Sequence, residues 1–253
     1  MSGGHAHALH VHGHSVIHRL PPETKVAAHL AFVVAVVLTP RAQIWAFAVH
    51  LVLLLGVVSL SEVPFGFFVK RLGVEIPFVL FALFLPILGG GPDVSVAGLQ
   101  LSREGLWGAW NILAKATLGV GASVILVATT EIPDLLRGLD RLRVPKVITA
   151  IAGFMVRYLD VIAGELRRMR TAMAARGYQP RWIGQVRALA TAGGALFIRS
   201  YERGERVHQA MLARGYTGRM PDLGSVPARG GDWGMAAVVP LCAWLIALIA
   251  VAA

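Results

Sequence analysis

Long apolar runs, separated by sparse clusters of charge, constrain this chain more than any motif does. Five candidate spans stand out: Val26–Leu38, Ala42–Leu60, Ile76–Leu88, Leu106–Thr129 and Trp233–Ala253. Crossing the hydrocarbon core of a bilayer takes about 20 apolar residues. The second, fourth and fifth runs meet that length. Val26–Leu38 is short, and Ile76–Leu88 is interrupted by Pro77 and Pro86, so tilt or flanking residues must extend them. Small residues crowd the fourth run (Gly105, Gly108, Ala109, Gly119, Gly121 and Ala122), which suits close helix contact in lipid. Only 15% of residues are charged, against about 25% in an ordinary soluble domain. The expected fold is all-α: a polytopic membrane protein with about five to six transmembrane helices and a cytoplasmic domain of long amphipathic helices.

The net charge of +10 is unevenly spread. Residues 131–231 hold 17 Arg/Lys and 8 Asp/Glu, so nearly all the surplus lies in one internal segment. The positive-inside rule keeps such a segment in the cytoplasm. With the N-terminus also inside, Arg19, Lys25, Lys70 and Arg71 fall on the same side. Arg41, the loop GGGPDVSVAGLQLSREG with Arg103, and the C-terminal residue then lie outside, which five spans satisfy. Basicity of this kind points to anionic lipid headgroups or an acidic protein surface, and no nucleic-acid partner is expected. The first 25 residues lack an apolar core and do not resemble a cleaved signal peptide. The single cysteine, Cys242, excludes an intrachain disulfide.

Two apolar runs inside the basic segment, residues 147–156 and 188–198, are too short to span as they stand. Longer helical patterns carry them on, from about Pro145 to Arg176 and from about Gly184 to Arg214. Each begins apolar and ends basic and amphipathic. A shorter amphipathic piece, EIPDLLRGLDRLRVP, precedes them, with Leu135, Leu136, Leu139 and Leu142 on one face.

The two long patterns end alike, in AMAARGY (172–178) and AMLARGY (210–216), 38 residues apart. Over twelve aligned positions seven are identical, including Met173/Met211, Ala175/Ala213, Arg176/Arg214, Gly177/Gly215 and Tyr178/Tyr216. Glycine just past a helix takes the left-handed conformation that stops it. Arginine near the end faces the negative pole of the helix dipole. The expected product is a guanidinium at a blunt helix tip, suited to forked contact with carboxylates or backbone oxygens. Two identical tips suggest two equivalent receptors.

Paired Ala-Arg-Gly tips in a polytopic chain of this length resemble the T component of an energy-coupling factor (ECF) transporter. The stretches HSVIHRLPPETKV and RSYERGERVHQAMLARGY most resemble its cobalt-uptake branch, the CbiQ type. The resemblance covers the chain from about residue 14 onward. It implies a scaffold of the bacterial cytoplasmic (inner) membrane, not an enzyme. It divides the chain into a His-rich cytoplasmic tail (1–25), transmembrane helices (26–130), cytoplasmic coupling helices (131–231) and a last transmembrane helix (232–253). Ala175, Arg176 and Gly177 would engage one ATP-binding-cassette ATPase subunit, and Ala213, Arg214 and Gly215 another. The membrane helices would hold a substrate-capture subunit, with a small additional membrane subunit as a further candidate partner. ATP and Mg would be bound in the partner subunits, and no cofactor is expected in this chain. Cobalt is the expected cargo, with nickel or a vitamin as the alternatives.

Other features bear on the same question. His5, His7, His10, His12 and His14 could gather imidazoles around a transition metal, or form a tail of adventitious affinity. Lys115, near Asn111 and midway along the fourth span, either contacts the capture subunit or is bonded within the bundle. His29 and His50 are expected to be hydrogen-bonded structural residues. Arg157 with Asp160, and Glu165 with Arg168, are helix-spaced pairs expected on a solvated face. A membrane enzyme such as a lipid phosphotransferase is the rival class, but its chemistry needs clustered aspartates, and the chain has no Asp-Gly dipeptide. It also lacks a P-loop and a Gly-x-Ser-x-Gly elbow. Nearly carboxylate-free spans argue against an ion path through this chain.

Overall fold

The computed structural model describes residues 11, 13, 15–90, 92–96, 99–178, 186–218 and 227–253. Its helices are α1 (Val16–Arg19), α2 (Pro22–Leu38), α3 (Ile44–Leu60), α4 (Phe65–Leu72), α5 (Ile76–Leu88), α6 (Arg103–Thr129), α7 (Ile132–Arg141), α8 (Lys146–Ala175), α9 (Val186–Ala213) and α10 (Gly230–Ala252). A 3-10 turn, Gly73–Glu75, joins α4 to α5. The chain divides into two compact units, residues 143–218 with α8 and α9, and residues 11–142 with 227–253.

The fold is all-α, as the apolar pattern predicts, apart from one hairpin in the glycine-rich loop. There β1 (Asp93–Val96) pairs antiparallel with β2 (Leu99–Ser102), Asp93 opposite Ser102. By length and composition Phe65–Leu88, Arg103–Thr129, Lys146–Ala175 and Gly230–Ala252 could each cross a membrane, and Ile44–Leu60 is a shorter apolar helix. The third span therefore begins at Phe65 rather than Ile76. Pro64 caps α4, Pro77 opens α5, and Lys70 and Arg71 lie in the last turn of a helix rather than in a loop. The apolar run 147–156 is too short to span by itself, but the helix that carries it, Lys146–Ala175, has the length and hydropathy of a span.

In the larger unit the distribution of side-chain size is that of a protein in lipid. The face that α10 buries is Ala236, Pro240, Ala243, Ala247 and Ala250, at alternating four- and three-residue spacing. Its Val238, Leu241, Leu245, Leu248 and Ile249 point outward. Alanine inside and leucine outside lets backbones approach while the large side chains meet acyl chains, which are as apolar as they are. Around Phe32, Val36, Phe47, Leu54, Phe68, Leu118 and Ile125, the helices α2, α3, α4, α6 and α10 share one core. At the start of α6, Gly105 lies against the carbonyl of Leu85 and Cα of Pro86, where any added Cβ would collide with backbone. The last turn of α5, around Pro86, and the first turn of α6 are thereby packed backbone to backbone.

Several polar groups inside the bundle hold an end or a joint. Glu75, 6% exposed, accepts from the Thr117 hydroxyl at 2.7 Å. His50 is fully buried, with Nδ1–H donating to Ala46 O at 2.7 Å and Nε2 lying 3.3 Å from Ala243 O of α10. His29, expected to be bonded like His50, makes no hydrogen bond among the described residues; it lines a cavity of about 370 Å³ with Phe32, Leu54, Ile125 and Val239, and with Lys25 and Thr129, which bond elsewhere. Lys115 donates to Val37 O at 2.8 Å, near the end of α2, so its contact lies within the bundle. Buried Lys25 reaches the carbonyl of Thr129 at 2.8 Å, the hydroxyl of Thr130 at 3.2 Å and the carbonyl of His18 at 3.2 Å.

Glu23 binds three segments at one point. Its Oε1 accepts from Arg141 of α7 at 2.9 Å and from the backbone N–H of Ala228, just ahead of α10, at 2.9 Å. The side chains of Glu23 and Arg141 are only 5% and 19% exposed. Beside them Gly138 leaves room for the backbone of Pro22 and Glu23, which a Cβ would meet at 2.9 Å. Removing one member of a buried pair strands the other. Glu23→Ala is expected to destabilise the chain by about 3 kcal/mol, read as a lower apparent melting temperature of the detergent-solubilised protein. Glu23→Gln should cost less, because its amide oxygen still accepts from Ala228.

Candidate functional site: two matched helix tips

The repeated heptapeptide is a backbone device before it is a binding motif. At the end of α8, Arg176 caps the helix with φ −88° and ψ 15°, and Gly177 follows at φ +76°. The Gly177 N–H donates to Ala174 O at 3.0 Å, and the Tyr178 N–H reaches back to Met173 O at 3.0 Å. The end of α9 repeats this bond for bond. Gly215, at φ +80°, donates to Leu212 O at 2.9 Å, and Tyr216 donates to Met211 O at 3.0 Å. This pair of nested bonds is the Schellman closure, which satisfies carbonyls that a helix end leaves orphaned.

The closure explains residues that a reading of Ala-Arg-Gly alone leaves out. Its usual companion is an apolar contact between the residue two places past the cap and the one three places before it. Those positions are Tyr178 with Met173, and Tyr216 with Met211, the identities that flank Ala-Arg-Gly in both copies. All four are half-buried, whereas Ala175, Arg176, Gly177, Ala213, Arg214 and Gly215 are all exposed. Met and Tyr therefore finish the helix, and Ala, Arg and Gly are presented outward. The guanidiniums of Arg176 and Arg214 make no ion pair or hydrogen bond among the described residues. Each sits at the negative pole of its helix with its donors unengaged by any described residue.

The smaller unit also corrects the expected charge pairs. Glu165 does not lie on a solvated face paired with Arg168. Its side chain is 12% exposed and bridges Arg199 at 3.3 Å and Arg203 at 3.2 Å, both on α9. Arg157 and Asp160 form no ion pair among the described residues. Helix spacing permits both expected pairs, but a few tenths of a kcal/mol for such a pair is outweighed where a half-buried carboxylate meets two guanidiniums from a neighbouring helix. Beyond this contact, Phe154, Tyr158 and Ile162 of α8 face Val207, His208 and Met211 of α9 across a cavity of about 470 Å³. The last turns of α9 thus run back along the first half of α8, and the two tips lead away from the crossing in divergent directions.

His5, His7, His10, His12 and His14 lie outside the described residues. His18, which ends that histidine run, is engaged structurally. Its Nε2–H donates to Val11 O at 3.0 Å, and its Nδ1 accepts from the Ser15 hydroxyl at 2.7 Å.

A multi-pass helical membrane protein with two matching, unengaged arginine tips is the class that these observations define. Comparison with known proteins narrows it. The family described as CbiQ, Cobalt transport protein, matches residues 13–223. The energy-coupling factor transporter transmembrane protein EcfT of Bacillus subtilis is 31% identical over 223 residues, covering 83% of each chain. EcfT of Listeria innocua is 28% identical, again with 83% of each chain covered. The cobalt transport protein CbiQ of Rhodobacter capsulatus is 29% identical over 171 residues, 66% of this chain and 67% of its own. The chain belongs to the CbiQ family, the T components of ECF transporters.

Because the closure needs a left-handed residue, Gly177→Ala and Gly215→Ala should each weaken the last turn by about 1 kcal/mol. Amide exchange at Tyr178 and Tyr216 should then speed up about fivefold. Arg176→Ala should leave that exchange unchanged, since its side chain takes no part in the cap.

Proposed function

We propose that this chain is the transmembrane scaffold of an ATP-driven importer of a transition-metal ion, cobalt, seated in the bacterial cytoplasmic membrane. The tips of α8 and α9 lie on the cytoplasmic side and enter two ABC-type ATPase subunits, Ala175, Arg176 and Gly177 in one and Ala213, Arg214 and Gly215 in the other. ATP and magnesium are held by those subunits, and a separate membrane subunit captures the ion. The observation that carries this reading is the duplicated tip. Two copies of one closure, each with a guanidinium that no described residue engages, suit two copies of one receptor. The surplus of positive charge in residues 131–231 supports the cytoplasmic placement. Membership of a family described as cobalt transport protein, and the printed name of the Rhodobacter relative, support cobalt as cargo.

Mechanistically, ATP binding draws the ATPase subunits together, the tips follow, and their helices pass the displacement to the capture subunit. A ligand can bias such a change only by as much as it distinguishes the two states, so each tip must stay engaged throughout. Arg176→Ala with Arg214→Ala is expected to leave membrane insertion intact, abolish co-purification of the ATPase and reduce ATP-driven cobalt uptake at least tenfold. Full uptake by the double variant would refute the assignment.

A further inference from the structure

The 38-residue offset that superposes the two tips also superposes Glu165 on Arg203. These are the residues that meet where α8 crosses α9. The two positions do not match in residue type, but they carry opposite charges that bind one another. Eleven residues separate Glu165 from Arg176, and eleven separate Arg203 from Arg214. At a rise of 1.5 Å per residue, both arms are about 16 Å long.

Resting on the T-component reading above, we infer that Glu165, Arg203 and Arg199 form the fulcrum of a two-armed lever. The charge contact at the crossing of α8 and α9 makes the arms equal, and through it the separation of the two tips governs transport.

Three features support this role. Glu165 is the less exposed partner, at 12%, against 60% for Arg199 and 41% for Arg203, so the carboxylate forms the centre of the joint. One carboxylate shared by two arginines a helical turn apart resists sliding in either direction along α9, because moving off one guanidinium breaks a charge-assisted bond. A localised contact still permits rotation. The arms diverge from the crossing, with α9 running back past Phe154 and Tyr158. Arms of about 16 Å that diverge by more than a right angle place the tips roughly 25–35 Å apart. Equal arms give both tips the same displacement for a given rotation, as two identical receptors closing symmetrically on a dyad require. Unequal arms would load one receptor before the other.

The test uses the complete transporter and carries two readouts. Spin labels at Ala174 and Leu212, equivalent exposed positions on the two arms, are introduced after Cys242, the only native cysteine, is replaced by alanine. Their distance distribution reports tip separation, and cobalt(II) or nickel(II) uptake per ATP hydrolysed reports coupling. Glu165→Gln is expected to at least double the width of the distance distribution and lower uptake per ATP about tenfold, with hydrolysis retained. Glu165→Arg combined with Arg203→Glu, which rebuilds the contact with charges exchanged and leaves Arg199 a partner one turn away, should recover both. The inference is overturned if Glu165→Gln leaves either readout at its wild-type value, or if the exchange recovers neither. Failure of the ATPase to co-purify with the unaltered chain would sink the underlying functional reading, while the distance readout would still judge the fulcrum.

Discussion

The need to satisfy carbonyls at helix C-termini organises this molecule. A helix leaves its last four carbonyls without internal partners, and lipid supplies no water to replace them. Each critical end here has a dedicated donor. The end of α2 receives Lys115 at Val37 O, while the Thr39 hydroxyl donates to Ala35 O. The end of α6 receives Lys25 at Thr129 O. The ends of α8 and α9 are closed by the backbone itself, through Gly177 and Gly215. Side-chain cations serve the membrane bundle and left-handed glycines serve the tips. Both solve one electrostatic problem, since each places positive charge or N–H groups at the negative pole of a helix.

That division explains what the sequence disclosed and what it concealed. Apolar length made the spans around α6 and α10 legible, because a run of 20 apolar residues has few other uses. The start of the third span was not legible, since Lys70 and Arg71 look like a loop until Pro64 is seen to open a helix ahead of them. The β1–β2 hairpin was hidden by brevity, as two four-residue strands carry too little alternation to stand out beside glycine-rich sequence. At the tips, Gly177 and Gly215 were readable as stops because local backbone chemistry alone decides them. The fulcrum was not. Glu165 has Arg168 at helical spacing, and only the crossing of α8 and α9 shows that Arg199 and Arg203 win it. His29 marks a further limit. Histidine in an apolar run reads as hydrogen-bonded, but among the described residues it makes no hydrogen bond.

Placement of residue size follows the same logic of solvent. In water, large apolar side chains are drawn inward, whereas here Ala35, Ala46, Ala243 and Ala247 occupy the interior and Leu80, Phe81, Leu241 and Leu248 the periphery. With no hydrophobic gradient between lipid and protein, close backbone approach and internal hydrogen bonds decide which faces meet. Gly105 against Leu85 and Gly138 against Pro22 mark where that approach is closest. The Glu23 contact with Arg141 and Ala228 then ties α2, α7 and the start of α10 into one joint.

In each tip, the residues that close the helix and the residues that face outward are different residues. Met173, Tyr178, Met211 and Tyr216 hold the turn, and the arginines take no part in it. A surface that receives such a tip meets a backbone already ordered, so little conformational entropy is lost on contact. Replacing either arginine therefore changes what a partner meets without endangering the helix that carries it.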